Sequence, residues 1–116
     1  MKFRIAMASS NGAEVDLHFG HANEFQIYEI DGEAHHFVES RYTRPCCQHQ
    51  SHSASRFDKV IELLSDCEAI FVSQIGGGAA DYLISKGIRV FEAPYRIDEV
   101  LQITLEQGLL DTRERP

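Results

Sequence analysis

The sequence predicts an α/β fold, a mixed five-stranded sheet with helices on its faces, and three observations predict it. Lys2 to Ala8 and Glu24 to Ile30 alternate apolar and polar side chains at the period of a half-buried strand, and Asp31-Gly32 follows the second as a hairpin signal. The run Ala69-Ile70-Phe71-Val72-Ser73 is continuously apolar, as in a strand covered on both faces. Three further stretches carry apolar residues at helical spacing and alternate with strand-like runs.

The elements follow in order. Lys2 to Ala8 alternates and places Phe3, Ile5 and Met7 on one face of a first strand. Ser9-Ser10-Asn11-Gly12 ends it with turn chemistry, and a loop runs to Ala22. Glu24 to Ile30 is a second strand, with Phe25 and Ile27 set against polar partners. Asp31-Gly32 returns the chain through a third, Ala34 to Glu39. Ser55 is a suitable N-cap for a helix beginning near Arg56, whose Phe57, Val60, Ile61 and Leu64 share a face. After the buried strand at Ala69, Gly76-Gly77-Gly78 opens a second helix, Ala79 to Ser85, stopped by Lys86-Gly87. Ile88 to Phe91 is a short strand. A last helix spans about Ile97 to Gln107, with Val100, Leu101, Thr104 and Leu105 as inner positions.

The order β-β-β-α-β-α-β-α feeds an antiparallel meander into parallel crossover units, which is the ribonuclease H-like arrangement. The 116 residues suit one domain over 1–110, with a frayed tail at 111–116. No apolar run approaches the roughly 18 residues of a membrane helix, and the N-terminal run is too short for a signal peptide. A cytoplasmic protein is expected, monomeric or weakly dimeric.

Eighteen acidic against eleven basic residues give a formal net charge of −7, which disfavours nucleic acid as a partner. The distribution is uneven. From Glu39 to Asp58 there are three arginines, Arg41, Arg44 and Arg56, and no carboxylate between. That local positive charge suits an anionic ligand.

Inside this window lies Arg44-Pro45-Cys46-Cys47-Gln48-His49-Gln50-Ser51-His52. Thiolate and imidazole are donors that iron, zinc and copper accept. Cys46, Cys47, His49 and His52 are therefore candidate ligands. A solvated polar loop with incidental cysteines is the plainer alternative. Closed zinc sites usually space their cysteines as Cys-x-x-Cys, and none is present. An open site that holds a pre-formed cluster fits better. Cys67 reads as a buried small apolar side chain, and a disulfide framework is not expected.

Two more segments carry possible chemistry. His18-Phe19-Gly20-His21 flanks a tight backbone with imidazoles, and Phe19 offers an anchor that would aim them. His18 and His21 are candidate ligands, or else solvated. Gly76, Gly77 and Gly78 stand between a buried strand and a helix, where free amides can cradle an anion. Close packing of helix on strand is the competing explanation. The spacing is neither that of a P-loop nor G-x-G-x-x-G. His35 and His36 point to opposite faces of a strand and read as structural or solvent-facing. Neither the first nor the central strand carries an acid, which argues against a two-metal nuclease. No Ser/His/Asp arrangement is legible for hydrolysis.

The segments His18-Phe19-Gly20-His21-Ala22 with Phe25-Gln26-Ile27-Tyr28, Arg41 with Cys46, Ile75-Gly76-Gly77-Gly78-Ala79-Ala80, and Gly87-Ile88-Arg89-Val90 together resemble the dinitrogenase iron–molybdenum cofactor biosynthesis family. That is the domain of NifX and NifY type, which also forms the C-terminal extension of NifB. The likeness covers nearly the whole chain, and the His-Phe-Gly-His-Ala segment is its most specific part. It implies a ribonuclease H-like domain without nuclease activity. It also implies a non-enzymatic carrier of an iron–sulfur precursor of the nitrogenase iron–molybdenum cofactor, bound transiently. Cofactor-donating and cofactor-accepting assembly proteins would be its partners. His18, His21 and Cys46 match the family's histidine and cysteine segments, and Arg41 would balance cluster charge. The alternative is a mononuclear metal-binding or metal-responsive module using the same Cys/His loop.

Overall fold

The sheet is organised around β1 (Lys2–Ala8), which pairs antiparallel with one neighbour and parallel with the other. Its last four residues, Ile5 to Ala8, are fully buried, because both faces of the sheet are covered there. The computed structural model describes residues 2–32, 34–43 and 54–107. β2 (Glu24–Asp31) pairs antiparallel with β1, and β3 (Ala34–Tyr42) antiparallel with β2. On the other side β4 (Ala69–Val72) runs parallel to β1, and β5 (Arg89–Glu92) parallel to β4. The order across the sheet is β3-β2-β1-β4-β5. Three α-helices lie among the described residues: α1 (Ala54–Leu63), α2 (Gly77–Ser85) and α3 (Ile97–Gln107).

Strand alternation divides the interior into two layers. Ala6, Ala8, Phe25, Ile27, Ile70 and Val72 face one side and meet Val60 of α1, Leu64 just beyond it and Leu83 of α2. Ile5, Met7, Ala69 and Phe71 face the other side and meet Ile97, Val100 and Leu101 of α3. The expected inner residues of α3 are those observed, with Thr104 buried and its hydroxyl donating to the Val100 carbonyl at 2.8 Å.

The element order and the mixed five-stranded sheet agree with the sequence, and the differences are local. α1 begins at Ala54, so Ser55 lies inside the helix rather than capping it. α2 begins at Gly77, two residues early, with Gly76 in the cap position. β3 runs to Tyr42, three residues beyond Glu39, because it keeps pairing with Glu24 to Gln26. The β2–β3 turn is shifted by one residue: Asp31 pairs with Ala34, and Gly32 takes φ +65° at the first turn position. Gly87 ends α2 with φ +88°, the left-handed conformation that favours glycine. The proposed tail at 111–116 lies outside the described residues.

Candidate functional site at the carboxyl edge of the sheet

The register places the histidine loop and the glycine turn at one edge. Ala8 faces Phe25 and Glu24 faces Tyr42, so β1 and β3 end beside the start of β2. β4 and β5 run parallel to β1 and end at the same edge, with Val72 facing Glu92. β1 and β4 are neighbours whose connections leave in opposite directions, β1 toward β2 and β4 toward β5. In open α/β sheets the crevice at such a reversal, outside the carboxyl ends of the strands, is where ligands bind.

The histidine loop fills that crevice. The Leu17 amide donates to the Ala8 carbonyl at 3.3 Å, and the Ser73 amide to the Leu17 carbonyl at 3.0 Å. The Phe19 amide then donates to the Gln74 carbonyl at 2.8 Å, so that His18 and Gln74 form a parallel bridge. Phe19 to His21 form one 3-10 turn. Phe19 and Ala22 are 2% and 1% exposed, while His18 and His21 are exposed. Burial of Phe19 therefore does aim both imidazoles outward. Their ring centroids are 6.2 Å apart and tilted by 56°. With metal–nitrogen bonds of about 2 Å, that spacing suits donors to neighbouring metal atoms, or to one ion after a small rotation.

The glycine turn starts one residue after Gln74's neighbour Ile75. Its amide is held by Glu92, whose Oε2 accepts from the Ile75 N–H at 2.9 Å. Gly76 has φ −72°, and no side chain caps α2. A Cβ built on Gly76, Gly77 or Gly78 would meet nothing within 4 Å, and all three residues are exposed. Close packing of helix on strand, the competing explanation, is thus not what these glycines provide. They leave the first amides of α2 open to close approach from outside.

Cys46, Cys47, His49 and His52, with Arg44, lie outside the described residues. Their approach is described, however. β3 ends at Tyr42, and the Thr43 amide donates to the Asn23 carbonyl at 3.0 Å, two residues after His21. The chain enters the Cys/His stretch from beside the histidine loop. Among the described residues no group of three or more His, Cys, Asp or Glu is arranged to hold a metal.

Arg41 differs from the expectation of a cation facing a ligand. Its Nη1 and Nη2 donate to the two Asp66 oxygens at 2.7 and 2.8 Å, its Nε donates to Glu39 at 2.6 Å, and Nη1 also reaches the Leu63 carbonyl at 2.9 Å. Arg4 joins the same carboxylate at 2.9 Å. These hydrogen bonds hold the Asp66 carboxyl well below the usual range, Arg41's being the largest effect. Arg41 ties β3 to the end of α1. Beside it, burial pushes the Cys67 thiol up to about 12, in keeping with an inert core cysteine. His35 and His36 are exposed on β3, and His36 Nε2 lies 3.4 Å from Glu29. Sequence reasoning missed Gln74, Glu92, Asn23 and Thr43, which act through backbone pairing or a single turn contact and leave no residue-type signal.

The model of the family described as dinitrogenase iron-molybdenum cofactor matches residues 1–107. The chain belongs to this family. It is 37% identical over 89 residues to the FeMo cofactor biosynthesis protein NifB of Klebsiella pneumoniae, covering 72% of this chain and 19% of that protein. It is 34% identical over 85 residues to the protein NifY of Azotobacter vinelandii, covering 73% of this chain and 34% of that one. The chain thus spans about a fifth of the NifB relatives it matches. The crystal structure of PH0822 superposes with a TM-score of 0.68 at 21% identity, over 90% of each chain, and shares the fold.

Proposed function

We propose that this domain receives, holds and hands over an iron–sulfur precursor of the nitrogenase iron–molybdenum cofactor, and catalyses no reaction itself. The observation that carries the reading is the position of the histidine loop, the glycine turn and the entrance to the Cys/His stretch at one sheet edge. The histidine loop bridges to the strand end that opens the glycine turn, and the Cys/His stretch is entered from beside that loop. A sulfide-rich cluster is anionic and iron-rich, so its recognition asks for exchangeable soft or borderline donors and for hydrogen-bond donors toward sulfide. In this reading His18, His21, Cys46, Cys47, His49 and His52 supply the donors to iron. The open amides at Gly76, Gly77 and Gly78 face the negative charge.

The strand order β3-β2-β1-β4-β5 supports a ribonuclease H-like assignment. In the same reading the domain is cytoplasmic, and its partners are the assembly proteins that deliver and accept the cluster. No helix among the described residues is long and apolar enough to cross a membrane.

Anaerobic titration with a purified iron–sulfur cofactor precursor tests the reading, followed by visible absorption and iron per chain after desalting. Several irons retained per chain is the expected result. Stoichiometric zinc retention with no affinity for the cluster would instead favour a mononuclear metal-binding module.

A further inference from the structure

A buried carboxamide lies beneath the same edge. Gln26 is 4% exposed in β2, between Met7 of β1 and Ser40 of β3. Its Nε2 donates to the Ser9 carbonyl at 3.1 Å and to Glu24 Oε2 at 2.7 Å, and its Oε1 accepts from the Ser40 hydroxyl at 2.6 Å. One side chain thus joins the residue that continues β1, the first residue of β2 and the end of β3. A buried amide is costly unless its groups are paired, and these are. An apolar side chain would satisfy packing at this position, so packing alone does not account for glutamine.

The joined ends are those from which the two ligand-bearing segments depart. Ser9 leads into the histidine loop, and Ser40 lies three residues before Thr43, whose amide is fastened to Asn23. We infer that Gln26 is a positioning residue, which sets the placement of the histidine loop relative to the entrance of the Cys/His stretch and through it the affinity for cargo. The part about cargo rests on the function proposed above.

Gln26→Leu and Ser40→Ala test this against Val100→Ala, a core change on α3 that touches none of these hydrogen bonds. Hydrogen exchange needs no cargo. Gln26→Leu should speed exchange at the Ser9 and Thr43 amides while those of Ile70 and Val90 hold. A uniform change across the sheet, or none, would overturn the inference. With cluster titrated at a temperature where all variants are folded, Gln26→Leu should lose about ten- to a hundredfold in affinity, as outer-shell changes do. Ser40→Ala should lose less and Val100→Ala nothing. Unchanged binding by Gln26→Leu would overturn the link to cargo. A wild-type chain that retains no iron would instead remove the carrier function, and exchange would still decide the positioning role.

Discussion

The Thr43 amide donates to the Asn23 carbonyl at 3.0 Å, which fixes the start of the Cys/His stretch beside the histidine loop. Twenty residues separate the two in sequence, yet the β2–β3 register makes them neighbours. Soft ligands on separate segments are useful to a carrier only if the fold holds those segments together.

The glycine turn separates folding from binding. Gly77→Ala and Gly78→Ala place a methyl in open space at a negative φ. Thermal unfolding should show them neutral or stabilised by up to about 1 kcal/mol, the helix preference of Ala over Gly. Cluster affinity should fall. Gly87→Ala, at φ +88°, should cost roughly 1–2 kcal/mol and leave affinity unchanged. Gly77→Ala that binds cluster as well as wild type would count against the turn as a contact.

Arg41 is expected to act on stability. Arg41→Ala removes a bidentate pair and a carbonyl contact, and should cost about 1–3 kcal/mol in denaturant unfolding. A variant as stable as wild type but poor in cluster uptake would return Arg41 to the binding site.

Acid should weaken the same contact. Asp66 has a lowered pKa in the folded chain, so the unfolded chain binds its proton first as pH falls. Its stabilising contribution is complete above the unfolded value of about 4 and is lost on further acidification. Asp66→Asn should be less stable than wild type at pH 7 and show a flatter acid limb below pH ~4. An unchanged acid limb would show that other carboxylates dominate it.

Much of the fold was legible because it rests on period and punctuation: strand alternation, the buried run at Ala69, the helical spacing of α3, and Gly87 as a stop. What was not legible depends on partners distant in sequence. The sequence-based strand ends at Glu39, yet Ser40, Arg41 and Tyr42 belong to β3. They extend it because they keep their register with β2, with Ser40 bonded to Gln26 and Arg41 to Asp66. Gln26 is one of the polar partners alternating with Phe25 and Ile27, and only the second core layer shows it buried. The histidines and glycines of the site were legible by type; their shared edge follows from strand order.

Cys67 should behave as core. Its thiol is buried and pushed up to about 12, so alkylation at pH 8 should modify it only on unfolding. Mass mapping of labelled peptides reads this. Rapid labelling of Cys67 in the folded protein would contradict the assigned packing.

Ser73 carries a buried hydroxyl with no hydrogen-bond partner among the described residues. Ser73→Ala should therefore be neutral or stabilising, by up to about 1 kcal/mol in thermal unfolding. A clear loss would reveal a partner for that hydroxyl.

The central claim is that the histidine loop and the Cys/His stretch hold one cargo together, and iron retention by paired-loop variants tests it most directly. Wild type, His18→Ala with His21→Ala, and Cys46→Ala with Cys47→Ala are each loaded anaerobically with the purified cofactor precursor, desalted and assayed for iron per chain. Several irons on wild type and a marked loss in each double variant is the predicted result. Equal retention by all three, or no iron on wild type, would contradict it.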